Sequence, residues 1–193
     1  TKVHVMRHGE VHNPEQVLYG RLPGYYLSDR GQAQAKSVAE ALADSDIVVA
    51  AATAQFMDTH VSVGQVSALE SIGIARRAGL GAALLMGLAG KSYRMPAERA
   101  YALGMVDLLE PTAAEAMARA KALAKAMCAN SPQAMALTKR AIWSATELSD
   151  PAAPVHGWEL LKSQWSHPDF EEGPKAFAEK REPVWDPDPN ARR

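Results

Sequence analysis

Asp46-Ile47-Val48-Val49-Ala50-Ala51-Ala52 is the stretch on which the fold class turns. Its apolar run, residues 47–52, has the length and β-branched content of a strand. Upstream, Val3-His4-Val5-Met6 is another β-prone run, which ends at Arg7-His8-Gly9-Glu10. Between the two lies a loop with Asn13-Pro14, Tyr19-Gly20 and Pro23-Gly24, then a helix that Ser28 caps and that reaches about Ala43. Strand, loop, helix, strand is the opening of an α/β sheet.

Past residue 52 the pattern changes. Residues 55–63 read as extended, and after them helices dominate. Residues 80–88 form an apolar helix flanked by glycines, too short to cross a bilayer. Pro96 opens a further helix that Gly104 ends. Thr112 and Glu115 have capping-box spacing, which predicts a helix to about Ala129. Ser131 caps the next helix, which starts at Pro132 and carries Ala134, Leu137, Ala141, Ala145 and Leu148 on one face until Pro151 and Pro154 interrupt it. Helices are also expected over residues 155–165 and 173–180, followed by a fraying Pro- and Asp-rich tail from Pro183. The architecture expected is α/β at the N-terminus with a largely α-helical C-terminal part.

Of the 193 residues 47% are hydrophobic and 22% charged, the balance of a globular chain, so disorder throughout is excluded. Lys+Arg number 21 against Asp+Glu 22, which leaves no field to draw nucleic acid or an anionic membrane. Cys128 is the single cysteine, so no internal disulfide forms, no metal site is expected, and a buried inert thiol is the reading. Thr1-Lys2-Val3-His4-Val5 lacks a signal-peptide apolar core, which points to the cytoplasm.

Arg7-His8-Gly9-Glu10, with Asn13, the Leu18–Gly24 loop and Leu27-Ser28 before Gly31-Gln32-Ala33-Gln34-Ala35, resembles the histidine phosphatase (phosphoglycerate mutase-like) superfamily over residues 1–48. The resemblance implies that His8 attacks phosphorus as a neutral imidazole, with Arg7 and Arg21 clamping the phosphoryl oxygens and Asn13 donating a further hydrogen bond. It also implies what is missing: no Ser-Pro-x-x-Arg follows residue 52, and a later acid and second His have no counterpart. The site is expected to be half built.

From residue 46 to 185 the chain resembles the C-terminal part of the crotonase (enoyl-CoA hydratase/isomerase) superfamily. The matching stretches include Ala54-Gln55-Phe56-Met57-Asp58-Thr59-His60-Val61-Ser62-Val63-Gly64, Pro96 to Val106, Asn130-Ser131-Pro132, Thr138-Lys139-Arg140-Ala141 and Glu172 to Arg181. The family stabilises a thioester enolate with two backbone N–H groups and moves protons with carboxylates. By that resemblance a coenzyme A thioester is the substrate, no cofactor is bound covalently, and a homo-oligomer assembles through the helices. His60 stands where a hydratase carries its second Glu, and Glu70 is the nearby carboxylate that would face the substrate. Lys139, Lys175 and Lys180 are the candidates to meet a coenzyme A phosphate. The Gly-rich segment that supplies an oxyanion N–H would precede Asp46, where a helix over residues 32–43 is expected instead.

The two resemblances overlap on residues 46–49, which sets a division into residues 1–48 and 49–193 and makes both folds incomplete. Both parent families are enzymes. Three functions follow: a catalytically incomplete crotonase-like acyl-CoA protein, phosphoryl transfer to or from a phosphate ester through His8, or a non-catalytic fusion remnant.

Overall fold

The computed structural model describes residues 46–187 of the chain, which form two compact units dividing between Lys121 and Ala122. In chain order the first contains β1 (Val49–Ala51), β2 (Gln55–Phe56), a 3-10 turn (His60–Val63), α1 (Leu69–Ala78), α2 (Leu80–Ala89), a second 3-10 turn (Gly90–Ser92), β3 (Met95–Pro96), α3 (Ala97–Ala102), β4 (Leu108–Glu110) and α4 (Ala113–Cys128), within which the division falls.

β1 and β4 run parallel, with Val49 opposite Leu108 and Ala51 opposite Glu110. Parallel neighbours require a long crossover, and the segment holding α1, α2 and α3 provides it. The pairing is pinned at its start by Asp107, whose Oδ2 accepts the Val48 N–H at 2.7 Å and an Arg77 N–H at 2.6 Å. β2 and β3 form a separate antiparallel pair, Phe56 opposite Met95. Between these pairs and the helices sit Val48, Ala50, Ala78, Met86, Met95, Ala100, Met105 and Val106. The alanines allow close approach of the backbones, and the three methionines fill the irregular space that remains.

Several expectations hold locally and shift in detail. The apolar helix is α2, much as predicted. Pro96 stands just outside α3 as its N-cap, with extended backbone, rather than inside its first turn. Gly104, at φ +78°, takes the left-handed position that ends α3, and the Met105 N–H returns to Ala100 O at 2.9 Å. The extended reading of residues 55–63 survives only in β2, because residues 60–63 wind into the 3-10 turn. α1 was not placed from the sequence; it contains Gly73, and its C-terminal Ala78 belongs to the core.

The second unit holds the end of α4, then α5 (Pro132–Ser144), α6 (Ala152–Gln164) and α7 (Pro168–Glu179). Ser131 caps α5 as its sequence requires, accepting the Ala134 N–H at 3.1 Å. At the start of α4, in the first unit, the Thr112–Glu115 pair forms half of the expected box. Thr112 Oγ1 accepts the Glu115 N–H at 3.2 Å, while the Glu115 carboxylate accepts the Thr112 hydroxyl at 2.7 Å. α7 starts at Pro168, earlier than residue 173, because His167 caps it by accepting the Asp169 N–H at 3.3 Å.

Two expectations fail in this unit. Cys128 is exposed, not buried, since α4 ends there and turns its last residue outward. The tail does not fray between Pro183 and Asp186. Val184 N–H donates to Glu172 Oε1 at 2.6 Å, Trp185 Nε1–H to Ala129 O at 2.8 Å, and Asp186 N–H to Asp169 Oδ1 at 2.7 Å. The other oxygen of Asp169, a residue only 5% exposed, accepts the Ser131 hydroxyl. Proline and aspartate composition predicted disorder; three specific acceptors override it. Among the described residues no helix is long and apolar enough to cross a membrane.

Candidate functional site

The first unit gathers Asp58, His60, Ser67, Glu70 and Ser71 around one imidazole. Asp58 follows β2 and is buried, a costly place for a carboxylate unless donors surround it. Three do. The His60 N–H reaches Oδ1 at 3.0 Å, His60 Nδ1 reaches the same oxygen at 2.8 Å, and the Ser67 hydroxyl donates to Oδ2. Burial pushes the Asp58 carboxyl up, but the hydrogen bonds from Ser67 and His60 outweigh it and hold the group below the usual carboxylate range.

An ionised Asp58 fixes the ring opposite it. The proton of a neutral His60 resides on Nδ1, which leaves the Nε2 lone pair on the far side. Nε2 lies 3.8 Å from Glu70 Oε1, an ion-pair distance for an imidazolium and too long for a hydrogen bond. Glu70 sits in the first turn of α1, where the positive end of the helix favours a carboxylate. The result is an imidazole oriented by one carboxylate and facing another, an arrangement suited to taking up and releasing a proton.

The turn that carries His60 is itself clamped. Ser62 Oγ accepts the Lys91 N–H at 2.9 Å, which ties the first 3-10 turn to the second. Gly90, at φ +58°, makes the approach feasible, because a Cβ there would collide with Ser62 Oγ and meet Val61 Cγ2 at 3.0 Å. Among the described residues no His, Cys, Asp or Glu cluster is arranged to hold a metal ion.

Of the residues singled out in the sequence, His60 and Glu70 come together. Arg7, His8, Asn13 and Arg21 lie outside the described residues. Lys139 is on α5, Lys175 on α7 and Lys180 caps α7, all in the second unit. Sequence reasoning missed Asp58, Ser67 and Ser71. The Asp58-Thr59-His60 spacing, which lets a carboxylate fold back on the ring two residues later, and the i,i+4 pair Ser67 and Ser71 are the signals that pointed to them.

Comparison with known proteins agrees with this fold. The chain belongs to the enoyl-CoA hydratase/isomerase family, whose model matches residues 30–188. The fold is crotonase-like: a mycobacterial enoyl-CoA hydratase/isomerase from Mycobacterium paratuberculosis superposes with a TM-score of 0.71 at 33% identity, over 77% of this chain and 58% of that one. An enoyl-CoA hydratase from Mycobacterium marinum gives a TM-score of 0.65 at 35% identity, over 73% of this chain and 55% of the other. A putative enoyl-CoA hydratase of Thermus thermophilus is 35% identical over 143 residues, which are 72% of this chain and 53% of that protein. The chain thus spans little more than half the length of these hydratase relatives.

A separate match, to an uncharacterized protein of Mycobacterium tuberculosis, is 66% identical over 53 residues, 28% of this chain and 26% of that protein. The family match starts at residue 30, upstream of the Asp46 boundary expected from the sequence, and takes in the helix expected over residues 32–43. No comparison supports a histidine phosphatase part. The family acts on acyl-CoA thioesters without a covalently held cofactor.

Proposed function

We propose that this chain carries the proton-transfer part of an enzyme acting on acyl-CoA thioesters, with His60 Nε2 as the acid–base group. The observation that carries the reading is the imidazole of His60 held 2.8 Å from buried Asp58 and 3.8 Å from Glu70. In this reading Asp58 orients the ring and steadies the imidazolium once a proton is taken. Glu70 faces the charge that forms on Nε2. The imidazole then does what a carboxylate does in the two-Glu hydratase arrangement, moving a proton beside the thioester. Oxyanion donors come from residues before Asp46 or from a partner chain, and a homo-oligomer, assembled through the helices, remains part of the proposal.

Saturable binding of an acyl-CoA by the full chain, and turnover that falls with His60→Gln and Asp58→Asn, is the expected result. A chain that binds no acyl-CoA, or whose turnover ignores both substitutions, refutes it.

A second reading rests on the sequence motif Arg7-His8-Gly9-Glu10 alone. It keeps His8, with Arg7, Asn13 and Arg21, as a phosphoryl-transfer candidate. Acid-labile phosphate on the protein after incubation with a phosphomonoester, lost in His8→Ala, supports it; its absence in both removes it. A chain inert in both assays is the non-catalytic remnant.

A further inference from the structure

The hydroxyls of Ser67 and Ser71 have no role in the proton transfer proposed above, yet both lie behind the residue that orients His60. Ser67 owns a single hydroxyl proton, and it is committed to Asp58 Oδ2. Ser67 Oγ also lies 2.8 Å from Ser71 Oγ. With the Ser67 proton spent, Ser71 must be the donor in that contact. The direction of every bond is therefore fixed: Ser71 to Ser67, Ser67 to Asp58 Oδ2, and His60 Nδ1 to Asp58 Oδ1.

Behind Ser71 stands α2. A Cβ at Gly87 would lie 3.2 Å from Ser71 Oγ, so the glycine leaves the room in which this hydroxyl turns toward Ser67. Two serines four residues apart, with a glycine opposite them, form a one-way donor chain that ends on the buried carboxylate of Asp58, which accepts from the imidazole on its other oxygen.

We infer that Ser67 and Ser71 are positioning residues that act through Asp58 to hold neutral His60 in its Nδ1–H tautomer, with Gly87 as the space that lets Ser71 take part. The role of that tautomer in proton transfer rests on the function proposed above; its existence does not. Without Ser67, Asp58 Oδ2 has no side-chain donor and the carboxylate turns about its Cβ–Cγ bond, loosening its hold on Nδ1–H. The charged groups that bear on His60 are Asp58 and Glu70 on α1; the second 3-10 turn meets the His60 turn through the Lys91 backbone N–H, and α2, also packed on this turn, carries no titratable side chain.

The test reads the ring nitrogens of His60 by 15N NMR in the full chain at a pH where the ring is neutral, the resonance assigned among the six histidines with His60→Gln. The wild type should show Nδ1–H in the majority. Ser67→Ala should lower the ratio of Nδ1–H to Nε2–H about ten-fold, the worth of one charge-assisted hydrogen bond. Ser67→Thr, which keeps the hydroxyl, should restore it. Ser71→Ala and Gly87→Ala should each lower the ratio about two- to three-fold, one by removing the donor and the other by crowding it. Should Ser67→Ala not fold, the other three variants decide. A ratio unchanged in Ser67→Ala or in Ser71→Ala, or a loss that Ser67→Thr does not repair, overturns the inference. The readout needs no substrate, so a chain that never turns over acyl-CoA defeats the proposed function and leaves this result standing.

Discussion

Replacing Asp169 by Ala tests the account of the second unit at its most concentrated point. The carboxylate is nearly out of reach of solvent, 5% exposed, and each oxygen has one donor: the Ser131 hydroxyl on Oδ2 and the Asp186 N–H at 2.7 Å on Oδ1. Deleting it strands both donors. A hydrogen bond to a charged acceptor contributes about 1.5–3 kcal/mol, so the loss should be about 3–5 kcal/mol, a large share of the stability of a small unit. Asp169→Asn keeps one carbonyl acceptor for the Asp186 N–H and should cost about 1–2 kcal/mol. All four tryptophans lie in this unit, so urea denaturation followed by fluorescence reports on it directly. Combining Ser131→Ala with Asp169→Ala should cost less than the sum of the two, because they share a bond. Asp169→Ala costing under about 1 kcal/mol, or adding fully to Ser131→Ala, would show that the carboxylate is not the anchor.

Three further outcomes follow from the geometry. Glu172 is held down to about 2, first by its hydrogen bond from Arg181 and then by the Val184 N–H. Its folded pKa is depressed, so its contribution is complete above the ordinary value of 4.5 and disappears as pH falls from there toward about 2; the Trp185 indole N–H signal should persist at pH 4 and be lost near that value only after Arg181→Ala moves the loss upward. Gly90→Ala must take φ +58° and displace Ser62, which should destabilise the first unit by about 2–4 kcal/mol in calorimetry, whereas an unchanged melting temperature would mean that the two 3-10 turns are not in contact. Cys128 should react with a maleimide in the native protein about as fast as in urea, and protection from labelling would place it in a core after all.

Local signals in the chain proved legible where one residue satisfies a neighbour. Ser131 before Pro132, and Gly104 after α3, could be placed because cap and helix are adjacent in sequence. β4 could not. Leu108–Glu110 is three residues long and becomes a strand only by pairing with β1, which lies some sixty residues earlier. The candidate site divides the same way. His60 and Glu70 stand out by residue type, but the burial of Asp58 shows only once the fold brings Ser67 against it. Asp169 hides likewise, since its partners Ser131 and Asp186 flank it at a distance in the chain. Composition misled at the tail, because Pro and Asp content says nothing about Ala129 O and Glu172 waiting as acceptors.

The way the tail closes the second unit bears on how the chain is made. Ala129, Asp169 and Glu172 leave the ribosome before Val184, Trp185 and Asp186 do. During that interval two carboxylates and a helix-end carbonyl are without their final donors, and the helices that bear them can associate but not lock. Within the first unit, β1 can meet β4 as soon as Glu110 has emerged. Vectorial synthesis therefore orders the two: the unit with His60 settles first, while the helical unit waits in a loose state for a tryptophan that arrives last. A nascent chain stalled before Trp185 would expose α5 to α7 to chaperones, with the first unit already protected.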